Sequence, residues 1–134
     1  MMNMQEISTA VQHHLPVKVF ILNNEYLGMV RQWQELLHGG RYSESYAAAL
    51  PDFVKLAESF GAVGLRAKKT SEIDDVINEM VKVDNVVIAD IVVDPTENVY
   101  PMIPSGSPHN EMLLGPAAKG KGFGQVTEKG KVLV

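Results

Sequence analysis

The stretch VKVFILNNEYLGMVRQW (Val17–Trp33) decides the fold. Val17 to Leu22 sets five apolar residues out of six between Pro16 and the polar pair Asn23–Asn24, which reads as a short buried strand rather than a helix. In an open parallel sheet, ligands bind beyond the carboxyl ends of the strands, so Asn23, Asn24, Glu25 and Tyr26 stand where a site is expected. Gly28 is then expected to turn the chain tightly into a helix, from about Gly28 to Leu37, that carries Met29, Val30, Trp33 and Leu37.

Asparagine at a strand end has a chemical use. Its side-chain oxygen is a hard, neutral ligand suited to magnesium or calcium, and the backbone carbonyl of Tyr26 adds a second oxygen two residues on. Magnesium prefers near-octahedral oxygen coordination with one or two carboxylates and phosphate oxygens, so this pair is half a site. The competing reading is that both asparagines only cap the turn and the helix, for which Asn is a common residue.

Outward from this stretch the pattern alternates. Met4, Ile7, Val11 and Leu15 recur at helical spacing, so Asn3 to His14 is expected to be an amphipathic helix. It opens without a cap or a strand, which leads us to expect a preceding segment. Its apolar face, Met4, Ile7 and Val11, leads us to expect self-association. His13 and His14 are adjacent and do not share a helix face, which favours a solvated pair over metal ligands.

After Leu37, His38 and Gly39–Gly40 end the central helix, and Arg41 to Ala49 reads as a surface loop or short helix. Phe53, Leu56, Ala57 and Phe60 mark a helix closed by Gly61, and Ala62 to Ala67 is a strand with weak alternation. Ile73, Val76, Ile77 and Met80 form the stripe of a further helix, with Ser71 and Asp74 as its capping box. Val86 to Val93 (VVIADIVV) is the strongest strand, nearly continuous in apolar residues as a strand covered on both faces should be. This order predicts an α/β three-layer sandwich around a doubly wound, mostly parallel sheet with right-handed crossovers, truncated at its N-terminal edge.

We expect residues 1–94 to be a partial α/β domain and residues 95–134 an arm and tail. Pro95 to Pro108 reads as an extended arm over the sheet end, poorly ordered without a ligand, and Lys119 to Val134 as a mobile tail. The run KGKGFGQ lacks the preceding strand and the Lys-Ser or Lys-Thr ending of a phosphate loop.

Composition narrows the function classes. At 134 residues, 46% hydrophobic and 21% charged, the chain can build one ordinary core. A net charge of −4 gives no basic stripe for nucleic acid, and no apolar run nears the ~18 residues that cross a bilayer. The absence of cysteine removes disulfides and thiolate metal sites and fits a cytoplasmic location; the first ten residues do not form a signal peptide.

LPVKVFILNNEYLGMVRQWQ (Leu15 to Gln34) together with VYPMIPSG (Val99 to Gly106) resembles the carboxyl-terminal domain of the catalytic subunit of the acetolactate synthase (acetohydroxyacid synthase) family. The likeness runs in order from Met1 to about Pro108. It implies a thiamine diphosphate-binding fold whose cofactor is held through Mg2+ by a Gly-Asp-Gly sequence and, further on, Asn-Asn. Carried onto this chain, Asn24 and the Tyr26 carbonyl would be metal ligands, and Gly28 and Met29 would lie at the cofactor. Met29, Trp33 and Ser105 would shape the pocket of the incoming 2-ketoacid. The resemblance further implies a homo-oligomer, a small regulatory subunit, and flavin in another domain.

The chain departs from the pattern in having no Gly-Asp-Gly. The glutamate that activates the cofactor in this family belongs to a domain that this chain lacks. A piece of such an enzyme, inactive by itself, is therefore expected. The other readings are a different thiamine diphosphate-dependent decarboxylase or carboligase, among them sulfoacetaldehyde acetyltransferase, glyoxylate carboligase and pyruvate oxidase, and a stand-alone α/β binding or interaction module.

Overall fold

In the computed structural model, which describes residues 2–115, β1 (Lys18–Asn23), β2 (Val63–Ala67) and β3 (Val87–Val92) pair as one parallel sheet in the order β1-β3-β2. Val19 lies opposite Ile88 and Leu65 opposite Ala89, so neighbouring side chains stack in rows on each face. Four helices are described: α1 (Glu6–Gln12), α2 (Gly28–Leu37), α3 (Phe53–Ser59) and α4 (Ile73–Lys82). The chain divides into two units, Met1–Asn24 with Ala49–Asp94, and Glu25–Ala48 with Pro95–Val134.

The first unit is a three-layer arrangement. On one sheet face Ala10 of α1 and Phe53 and Ala57 of α3 pack with Ile88, Val19 and Ile21; on the other Met80, Ile73 and Val76 of α4 pack with Val87, Ala89 and Ile91. The step from β1 to β2 runs across the sheet with α3 on one face, and the step back to β3 carries α4 on the other. Opposite directions with helices on opposite faces are what a single crossover handedness requires. β3, in the centre, is buried from Val87 to Ile91, as its continuous apolar run predicts.

Local chemistry sets the helix ends. Gly61, at φ 79, closes α3 with its N–H on the Glu58 carbonyl while the Ala62 N–H reaches Ala57. His14, at φ 54, takes the same place after α1, its N–H on Val11 and that of Leu15 on Ala10. Gly39 and Gly40, at φ 66 and 71, follow α2 as expected.

Three expectations are corrected. β1 is an edge strand and is not fully buried: Phe20 and Leu22 are 40% and 65% exposed, because α4 packs on β2 and β3. Ser71 and Asp74 form no capping box; a 3₁₀ turn (Thr70–Glu72) precedes α4, and the Glu72 carboxylate accepts from the Lys68 and Lys69 N–H groups. The helix expected over Asn3 to His14 is confined to Glu6–Gln12, so exposed Met4 precedes it, while Ile7 and Val11 are partly buried against the sheet core.

Among the described residues of the second unit the only β-pairing is two isolated bridges, Tyr26 with Tyr46 and Met102 with Leu113. Its core is Leu36, Leu37, Met102 and Leu113, with Tyr100 packed alongside. The segment after Pro95 belongs to this unit together with Glu25–Ala48. The glycine-rich run and the expected tail lie outside the described residues.

Candidate cofactor and substrate site

A polar chain running from buried Asp90 out to exposed Asp52 anchors the end of β1. The Asn23 amide donates to Asp90 Oδ1 at 2.9 Å, and Arg66 Nε donates to Asp90 Oδ2 at 2.9 Å. Arg66 Nη2 donates in turn to Asp52 Oδ1 at 2.7 Å, while Asp52 caps α3 by accepting from the Val54 and Lys55 N–H groups. Asp90 is only 2% exposed in the central strand, and a donor on each carboxylate oxygen is what allows it there. The hydrogen bond to Arg66 holds the Asp52 carboxyl below its ordinary range, and Asp52, then Asp90, raise the Arg66 guanidinium. Periodicity passed over Asp90; a charge inside VVIADIVV was the available signal that a partner must exist.

Asn24 is partly exposed and ends the first unit. The second begins with Glu25 in the left-handed region at φ 60, so the sharp bend falls there and not at Gly28, which enters α2 as its first residue. The Tyr26–Tyr46 bridge is tied by its flanks, Leu27 N–H to Ser45 C=O and Ala47 N–H to Glu25 C=O, both 2.8 Å. Arg31, buried, lies over the Tyr26 and Tyr42 rings at 5.3 and 5.1 Å and pairs with Glu35 at 3.0 Å.

On α2, Met29, Val30 and Trp33 line a concavity of about 590 Å³ together with Gln34, His38 and Arg41. Met29 and Trp33 are thus brought together in an apolar wall with a guanidinium and an imidazole at its edge. Ser105 is not among the lining residues; it is exposed in a turn closed by the Ser107 N–H on the Pro104 carbonyl.

Among the described residues no group of three or more His, Cys, Asp or Glu could hold a metal ion, and the two oxygens expected to serve magnesium, the Asn24 amide and the Tyr26 carbonyl, are hard but neutral donors that belong one to each unit. His13 and His14 therefore join no such group. Among the described residues no helix is long and apolar enough to cross a membrane.

The sequence pattern described as "Thiamine pyrophosphate enzyme, C-terminal TPP binding domain" matches residues 1–91. The chain belongs to this family. The matched residues take in α1 to α4, β1, β2 and all but the last residue of β3, so the expected α/β fold and the thiamine diphosphate-binding assignment stand together. The chain is 48% identical over 114 residues to the acetolactate synthase large subunit of Haemophilus influenzae, and 47% identical over 116 residues to the isozyme 3 large subunit of Escherichia coli. Each match covers 84% of this chain and 20% of the relative, so the chain spans about a fifth of their length. Among solved structures, the thiamine diphosphate-dependent 4-hydroxybenzoylformate decarboxylase of Rhodococcus jostii shares the fold at a TM-score of 0.61, with 23% identity, over 68% of this chain and 17% of that one.

Proposed function

We propose that this domain serves a thiamine diphosphate-dependent acetolactate synthase of branched-chain amino-acid biosynthesis, a cytoplasmic enzyme that joins decarboxylated pyruvate to a second 2-ketoacid. The identity of 47–48% to acetolactate synthase large subunits carries this reading. The Rhodococcus jostii decarboxylase, at 23% identity, shares the fold alone, so the acetolactate synthase reading is favoured over another decarboxylase or carboligase and over a stand-alone module.

In this reading Asn24 and the Tyr26 carbonyl hold Mg2+ and, through it, the cofactor diphosphate, beside Gly28 and Met29. The cofactor supplies the electron sink for decarboxylation and carbon–carbon bond formation. Trp33 and Met29 select the acceptor by shape, with Ser105 on the segment after Pro95 as a further pocket residue. The same reading places flavin in another domain and expects a homo-oligomer with a small regulatory subunit.

Two experiments test this. Calorimetry of the 134 residues with thiamine diphosphate and Mg2+ should show no tight binding, because no Gly-Asp-Gly supplies the anionic ligand; micromolar affinity, or acetolactate formed by the chain alone, would refute the incomplete-site reading. A chimera with these residues in place of their counterpart in the H. influenzae relative should form acetolactate. In it, Trp33→Leu should change the preference between pyruvate and an acceptor one methylene longer by about 10-fold or more. A folded chimera without acetolactate formation would sink the assignment.

A further inference from the structure

Gln32 is 1% exposed, and both ends of its amide are committed to one backbone residue. Its Oε1 accepts from the Val99 N–H at 2.7 Å, and its Nε2 donates to the Val99 carbonyl at 3.0 Å. A side-chain amide paired in this way stands in for a strand neighbour and satisfies both polar groups of Val99. Nε2 also lies 2.9 Å from Met102 Sδ. One residue earlier, Arg31 donates to the Thr96 carbonyl at 3.4 Å.

Beyond Val99 the segment closes on itself. Met102 and Leu113 exchange backbone hydrogen bonds of 2.9 and 2.7 Å, and both pack with Leu36 and Leu37 of α2. Between them stands the turn with Ser105, whose next residue, Gly106, is at φ 84. The loop that carries Ser105 is therefore attached to α2 through Gln32 and the Leu36–Leu37 cluster. The same helix, turning by about 100° per residue, carries Met29 and Trp33 in the wall of the concavity.

We propose that Gln32 is a positioning residue that fixes the Ser105 loop on the helix bearing Met29 and Trp33, so that the acceptor-selecting surface of the second unit is set as one piece. What this says about an acceptor rests on the function proposed above; the positioning itself does not.

Gln32→Met and Gln32→Glu in the full chain test it, read by hydrogen exchange of the Val99 amide and by acrylamide quenching of Trp33, the sole tryptophan. Gln32→Met fills the space without the amide and should lower Val99 protection at least 10-fold and raise Trp33 quenching, with the α2 amides still protected. Gln32→Glu should behave likewise near pH 8, where a buried carboxylate faces the Val99 carbonyl. On acidification toward pH 5 it takes up a proton, regains the donor, and Val99 protection, taken relative to intrinsic exchange, should return toward wild type. A residue that only fills space gives no such rescue.

Unchanged Val99 protection in Gln32→Met, loss in Gln32→Glu that does not recover at low pH, or lost protection with unaltered Trp33 quenching would each overturn the proposal. If Gln32→Met does not fold, the pH pair in Gln32→Glu decides alone. The acceptor preference of the chimera addresses the acceptor reading separately: a preference unchanged by Trp33→Leu counts against that reading while the Gln32 results stand.

Discussion

The side chains buried in the first unit are mainly aliphatic: Ala57, Ala62, Val86, Val87, Ile88, Ala89 and Ile91, against one charged residue, Asp90. Among the described residues of the second unit the most buried are Gln32 at 1% and Ser45 at 2%, with Arg31 at 8% and four apolar residues. The first is held by two-sided burial of a sheet, a non-directional force proportional to area. The second is held by directed bonds between side chains and backbone atoms 65 or more residues away, each lost outright when its side-chain partner is removed. The first should therefore respond to changes in volume, and the second to changes in hydrogen-bonding capacity and in its small core.

The largest effect expected from this contrast is at Gly64 in β2. A Cβ there would stand 2.6 Å from the Val54 carbonyl oxygen and 2.7 Å from its Cα, so Gly64→Ala must push α3 off the sheet. We expect a loss of about 3 kcal/mol, the upper range for overpacking, since backbone cannot rotate away. Urea unfolding followed by far-ultraviolet circular dichroism measures it. A loss below about 1 kcal/mol would show that the sheet unit yields more easily than its packing implies.

Next is Leu36→Ala, 4% exposed in the small core of the second unit. The lost methylenes should destabilise by about 2 kcal/mol, at the low end for such truncations, because few neighbours surround the cavity. Exchange should accelerate in α2 and around Met102 while the amides of β3 keep their protection. Equal acceleration in β3 would mean that the two regions unfold as one, and the contrast between them would fail.

That contrast also explains how legible each region was. Strand and helix periods are local, so VVIADIVV, the Phe53–Phe60 stripe and Gly61 could be read from neighbours within eight residues. The helix Gly28–Leu37 was legible for the same reason. The clamp of Gln32 on Val99 joins residues 67 apart with no periodic mark, and the segment after Pro95 therefore read only as an extended arm. At the candidate site, Met29 and Trp33 lie one turn apart on a helix, which spacing reveals. Arg41, beyond the helix in a loop, enters the same concavity for reasons that no spacing records.

The smallest effect tests whether charge adds to the volume-dominated unit. Asp52 and Glu72 both have carboxyl groups held below their ordinary range, Asp52 chiefly by the hydrogen bond from Arg66 and Glu72 chiefly by the Lys68 N–H. A carboxylate lowered in the folded state favours folding fully above its unfolded value, 3.8 for Asp52, and that contribution disappears as pH falls through the lower folded value. Asp52→Asn separates the charge from the cap, because asparagine caps a helix about as well as aspartate. The wild type should melt slightly higher than Asp52→Asn at pH 7, and the two melting temperatures should converge as the pH falls below 3.8 and Asp52 is protonated. Both groups are exposed, so solvent screening keeps the difference small, and 1 M salt should shrink it further. A gap that persists at pH 2 would mean that asparagine disturbs the α3 cap itself, and that Arg66 contributes through geometry and not through charge.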